Sequence, residues 1–252
     1  MIRLSETAEA YERRGYTPER HALGYIKFRD DYGMPFNLVP RERMSATGYA
    51  CRAVVAARLI APERELDVFR ALQIVRFTTV GLFDTEAGVR AALERVDGIE
   101  ADAIVAAIGD QQTETAYQAG RAEIRQAAGR PTEFQGKAAN TDGAVRYTAP
   151  SLIFEHTDGR SLEAGGFQPV EAYDVCIANL DTTLERWEAA EDVAEAIDVV
   201  GYSLTTAEVA AVMAPHLTRP DQDAAERALI SATAAGRLTA EPVGSSTLWH
   251  LP

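Results

Sequence analysis

The chain has 252 residues and a formal net charge of −13, with 25 Lys and Arg against 38 Asp and Glu. That acidic balance argues against a nucleic-acid partner, whose binding rests on Lys and Arg releasing counterions from phosphates. No apolar run approaches the ~20 residues a membrane-spanning helix needs, and Met1 to Glu6 turns polar at once without the apolar core of a signal peptide.

Along the chain, Ser5 to Arg14 reads as a first helix, stopped at Gly15. Thr17-Pro18-Glu19-Arg20 starts a second, with Thr17 as N-cap and proline at the first helical position, running to Gly33. Met34-Pro35-Phe36 is an extended loop, because the residue before proline is pushed out of the α region. Tyr49 to Ile60 is apolar on nearly every face and predicts a buried helix. Pro62 begins another, with Leu66, Phe69 and Gln73 on one side and Val68, Leu72 and Val75 beside them. Asp84-Thr85 caps the next, which carries Val89, Leu93 and Val96 inward. Ala103 to Ile108 and Thr115 to Ala128 complete an antiparallel helical array with short connections, closed by Gly129-Arg130-Pro131.

Pro131 to Tyr147 is polar and contains Gly136, Asn140 and Asp142-Gly143; a loop of this length without its own structure is often functional. It leads through Thr148-Ala149-Pro150 into the β-prone run Leu152-Ile153-Phe154. Asp158-Gly159 predicts a two-residue type I′ hairpin, and Ser161 to Ala164 is the return strand. After Gly165-Gly166, the segment Phe167-Gln168-Pro169 opens a helix over Val170 to Leu180. Beyond Arg186 the character changes. Thr205 and Glu208 form a capping box, with Leu204 stapling against Val209. Asp221 to Ala235 is a further helix, and Leu238 to Val243 with Thr247 to Leu251 are two strands around Gly244-Ser245-Ser246. Helix, helix, hairpin is the order of a winged helix.

The helical run Tyr49 to Ala128, the segment Tyr147 to Phe154 and the stretch Gly165 to Tyr173 together resemble the DsbA-like thioredoxin family, in which a helical domain is inserted into a thioredoxin fold. The resemblance covers roughly residues 20–185. It implies an α/β, thioredoxin-like fold of DsbA type over residues 1–186, with a large helical insertion at about 40–130 and a mostly helical chain overall. A winged-helix-like domain would then occupy 187–252. It also implies a cis Ala149–Pro150 bond facing the substrate, and a thiol–disulfide oxidoreductase as the function. The family's first strand and its CxxC should precede the helical array, and this chain has neither. The sequence is therefore expected to be a piece of a longer protein or a variant without the redox pair. In either case the sheet is short of strands, with an edge that needs covering.

Several side chains invite chemistry. Cys51 lies just inside a helix start, where a thiolate pKa can fall, so it is the candidate catalytic residue. The alternative is a small buried hydrophobe in an apolar helix. Cys176 faces the same alternative. Two cysteines this far apart exclude a disulfide framework and point to a reducing cytoplasm. Thr148, Ala149 and Pro150 are the candidate substrate-binding residues, since in thioredoxin-like proteins the backbone before this proline pairs with substrate as an added strand. Lys137 and Arg146 either meet an anionic thiol cofactor or are solvated surface charges. His21, His156, His216 and His250 have no ligand spacing, so no metal site is expected.

The expected partner is a thiol or disulfide substrate, protein or small molecule. A second reading is a relative of glutathione transferase kappa or hydroxychromene-carboxylate isomerase, which needs a low-molecular-weight thiol as cofactor. A third is a non-catalytic binding protein. The would-be recognition helix carries Asp221, Asp223 and Glu226 against Arg227 alone, so DNA binding is rejected in favour of accessory packing or homodimer formation.

Overall fold

The structure, a computed structural model, describes residues 7–139 and 143–252. The Ser5 start of the first helix, the opening Met1 to Glu6 and the loop positions Asn140 and Asp142 lie outside the described residues. Within them the chain is mixed α/β and mostly helical, with small antiparallel sheets. It divides into two compact units: Ala106–Trp187, and 7–105 together with Glu188–Pro252. This division joins the C-terminal stretch to the first hundred residues.

The larger unit begins with α1 (Ala8–Arg13) and α2 (Pro18–Tyr32). Thr17 Oγ1 accepts the Arg20 N–H at 3.1 Å, as its N-cap position predicts, and Gly33 closes the helix in the left-handed region. α2 docks through Tyr25, whose ring stacks on Phe36 at 5.0 Å and meets Phe77 edge-on at 5.9 Å. α3 (Gly48–Ile60) buries Ala50, Cys51 and the whole run from Ala53 to Ala57. A 3-10 turn at Pro62–Arg64 leads into α4 (Glu65–Thr78), where the Val68, Leu72 and Val75 stripe is buried while Leu66, Phe69 and Gln73 face solvent. α5 (Glu86–Leu93) is capped by Thr85, which accepts the Gly88 N–H at 3.2 Å, and buries Val89 and Leu93 completely. α6 (Ala101–Ala107) spans the break between the units.

The smaller unit contains α7 (Gln111–Glu123), which starts and stops some four residues earlier than its sequence suggests. The stretch 131–147, expected as a loop without structure, instead holds α8 (Pro131–Phe134), β1 (Ala138–Ala139) and β2 (Arg146–Tyr147). These short elements have no periodicity of their own and form through distant bonds: Ala127 N–H to Val145 O and Tyr147 N–H to Ile124 O tie β2 to the end of α7. β3 (Leu152–Glu155) and β4 (Ser161–Ala164) form the expected hairpin, with Phe154 opposite Leu162.

The hairpin's turn differs from the expectation. Type I′ needs positive φ at both central residues, yet only Gly159 has it; Asp158 does not. The chain makes a longer loop instead, in which Asp158 Oδ1 accepts the Arg160 N–H at 3.0 Å and His156 N–H reaches Arg160 O at 2.8 Å. A self-bonding aspartate thus replaces the tight turn. α9 (Val170–Leu180) follows and packs on this hairpin, with Tyr173 against Phe154 at 6.4 Å.

The C-terminal stretch adds α10 (Val193–Val200), which the sequence reading missed. It continues through β5 (Leu204–Thr205), α11 (Thr206–Val212), α12 (Gln222–Ala234), β6 (Thr239–Val243) and β7 (Ser246–His250). The strands pair antiparallel in the order β5-β7-β6. The capping box forms as expected: Thr205 Oγ1 accepts the Glu208 N–H, and Glu208 Oε2 accepts the Thr205 N–H at 2.8 Å. Val193, Ile197, Leu204, Val209, Leu229 and Trp249 make one core. Ile74 of α4 packs with Val243 and Leu248, which explains why this stretch belongs with the first hundred residues.

Candidate functional site

Thr148, Ala149 and Pro150 lie together in the smaller unit, between β2 and β3, and the Ala149–Pro150 peptide is cis. Their position is fixed from both sides. Thr148 bonds back to the residue before β1, its N–H and its hydroxyl both donating to Lys137 O. Ser151 Oγ donates to Thr148 O and accepts the Gly166 N–H at 3.0 Å, closing the segment onto the Gly-Gly stop after β4. Gly166 sits at φ +68°, and a Cβ there would stand 3.0 Å from Lys137 Cδ and 3.3 Å from Thr148 Oγ1. Only glycine suits that backbone and that crowding. Ala149 and Pro150 are exposed, and among the described residues neither polar group of the Ala149 backbone has a hydrogen-bond partner.

Beneath this segment lies a residue that sequence reasoning missed. Glu163 of β4 is 3% exposed at its side chain and accepts from Thr132 Oγ1 at 2.8 Å, Thr132 N–H at 3.2 Å, Tyr147 hydroxyl at 2.9 Å and Arg130 Nε at 2.7 Å. Burial works against its charge, but the hydroxyls of Thr132 and Tyr147 and the Arg130 guanidinium hold the carboxyl below the ordinary glutamate value. One carboxylate therefore locks α8, β2 and β4 together. Its only sequence signal is an acid at an alternate position of a short strand, which normally marks a wet face. The same seam excludes larger side chains: a Cβ on Gly165 would lie 2.5 Å from Thr132 Cγ2. Gly165→Ala is expected to cost about 2 kcal/mol through displacement of the fully buried Thr132, checked by urea unfolding followed at the hairpin.

The other expected residues fall elsewhere. Cys51 belongs to the larger unit, on the buried face of α3 at 5% exposure, among alanines and valines. Cys176 is half-buried on α9, and neither cysteine is in a disulfide. Arg146 is not a solvated surface charge: it is 4% exposed, and its Nη1 donates to Tyr147 O at 3.0 Å. Lys137 is half-buried, its carbonyl holding Thr148. No group of three or more His, Cys, Asp or Glu among the described residues is placed to hold a metal ion.

The larger unit holds a cavity of about 290 Å³ lined by Arg64, Arg70, Arg95, Tyr202, Ser203 and His250 among others. Ser203 Oγ meets His250 Nδ1 at 2.6 Å, and His250 Nε2 lies 3.3 Å from Glu241. Each guanidinium there already has a carboxylate: Arg64 with Asp67, Arg70 with Glu208, Arg95 with both oxygens of Glu241. The charges are spent within the fold, leaving little to recognise an anion. Among the described residues no helix is long and apolar enough to cross a membrane. No protein-family model matches the chain, and no curated protein matches it at a significant level.

Proposed function

We propose that the smaller unit is the substrate-docking part of a DsbA-like thioredoxin fold, which takes a thiol- or disulfide-bearing segment as an added strand at Thr148, Ala149 and Pro150. The observation that carries this reading is the open Ala149 backbone, exposed and unbonded, at a junction otherwise fixed on both flanks. An extended partner would satisfy that N–H and C=O, the mode by which strands are recognised at a sheet edge. The order β2, proline, β3–β4 hairpin, Gly-Gly, α9 supports the family resemblance. The chain carries no CxxC, so in this reading docking is its own contribution and the exchanging thiol comes from the substrate or a low-molecular-weight thiol.

The test is an NMR titration of the labelled chain with a cysteine-containing decapeptide, offered reduced and as its glutathione mixed disulfide. Saturable shifts at the Ala149 and Ser151 amides, with slowed exchange at Ala149, are expected. Binding that leaves these amides unmoved, or no binding by either form, overturns the proposal.

For Glu188–Pro252 we read a winged-helix-like arrangement with a packing role. The order α10–β5–α11–α12–β6–β7 and the β5-β7-β6 sheet favour it. α12 presents Asp223 and Glu226 beside Arg227, the wrong sign for a phosphate backbone.

A further inference from the structure

At the C-terminal end of α4 the larger unit has a small, partly open cavity lined by Pro18, His21, Arg41, Arg43, Met44, Ser45 and Arg76. Three guanidinium groups and an imidazole meet there, in a chain whose net charge is −13. Such a gathering of cations needs compensation, because an uncompensated buried charge is costly.

Two of the three arginines have it. Arg43 grips Asp84 with both nitrogens, at 2.7 and 3.0 Å. Arg41, 9% exposed, donates to the carbonyls of Gly81, Thr79 and Arg76, so it caps the end of α4 where the helix dipole is negative. Arg76 has neither. Its guanidinium makes no ion pair and no hydrogen bond among the described residues, and its Nη1 is fully buried without a partner. The ring of Phe83, 5.8 Å away, offers only its π face. Arg76 thus lines the cavity with one buried N–H group unmet, and Asp84, whose charge it feels, is already gripped by Arg43.

We propose that this cavity is a binding site for a single halide-sized inorganic anion, such as chloride, held by Arg76 with Arg41, Arg43 and His21 around it. Its volume, about 10 Å³, decides the ligand class. That space suits roughly one particle of water or halide size. A water could use Arg76's donors but would not offset its charge, whereas an anion does both. His21 reports the same field: burial, then the charges of Arg76 and Arg41, hold its protonation below the ordinary histidine value.

The test compares thermal unfolding in sodium chloride and sodium gluconate at one ionic strength, which separates specific binding from screening. Chloride is expected to raise the melting temperature by about 3 °C for each tenfold above its dissociation constant, and Arg76→Met to abolish the difference. Equal melting temperatures in the two salts overturn the proposal, as does a chloride effect that survives Arg76→Met. Should that variant fail to fold, the unmodified chain carries the test through His21. Its imidazole pKa must rise in chloride relative to gluconate, and an unmoved titration refutes the site.

Discussion

Glu163→Ala is expected to lower the stability of the smaller unit by about 3–4 kcal/mol and to release the β3–β4 hairpin first. The estimate follows from what is left behind. Thr132, with no exposed surface, loses acceptors for both its hydroxyl and its N–H, and the Tyr147 hydroxyl loses its own. Each buried donor left unmet costs about 1–3 kcal/mol. Glu163→Gln keeps the shape and an acceptor oxygen but turns an NH₂ toward donors, so about half that loss is expected. Hydrogen exchange resolved by residue reads the effect where it occurs: amides of β4 should lose protection while those of α12 keep theirs. Equal loss in both would mean that the carboxylate is no local lock.

The same residue sets an acid limit. Its folded pKa lies below the unfolded value, so its ionised contacts contribute fully above about pH 4.3. That contribution falls away as the pH drops through the folded value, and Glu163→Gln should remove this step while leaving neutral-pH behaviour otherwise similar in slope.

Legibility in the sequence followed the range of the interactions. α2 was readable from Thr17-Pro18 to Gly33 because its start and stop are local chemistry, and the Thr205–Glu208 box is likewise three residues wide. α10 was also readable, since Asp192 caps it through the Ala194 N–H and Gly201 ends it, but its short apolar run drew no helix assignment. α8, β1 and β2 were not readable: Glu163, some thirty residues on from Thr132, supplies the acceptor for α8 and β2, and β1 forms by pairing with β2. The Asp158 loop shows the reverse, a local side-chain bond overriding a strong dipeptide signal. For the candidate site, Thr148, Ala149 and Pro150 came from element order, whereas Ser151 and Gly166, which hold them, meet only in the folded hairpin. The cavity at Arg76 has no sequence signature at all, because α2, the 34–47 segment and α4 each contribute one or more of its lining side chains.

Glu208→Ala is expected to cost about 2–3 kcal/mol and to loosen the C-terminal stretch from α4. Glu208 does two jobs with one carboxylate. Oε2 closes the capping box on the Thr205 N–H, a contribution of about 1 kcal/mol. Both oxygens receive Arg70, at 2.8 Å each, and Arg70 also donates to Ser203 O at 2.6 Å and lies 4.4 Å over the Tyr202 ring. Burial opposes the charge on Glu208, yet Arg70 and the Thr205 N–H keep its carboxyl below the ordinary range, so this stability too is present at neutral pH and lost on acidification. Arg70→Met should cost less than Glu208→Ala, since Thr205 remains to serve the carboxylate while the stem of the side chain keeps its packing. The double variant Arg70→Met with Glu208→Leu then tests whether the charges or the shape hold the seam. With both charges gone only the Thr205 cap is lost and no buried charge is stranded, so its loss should be well short of the sum of the single losses. Additive losses in chemical denaturation would show instead that Arg70 and Glu208 act independently, with the pair contributing nothing beyond its two separate contacts.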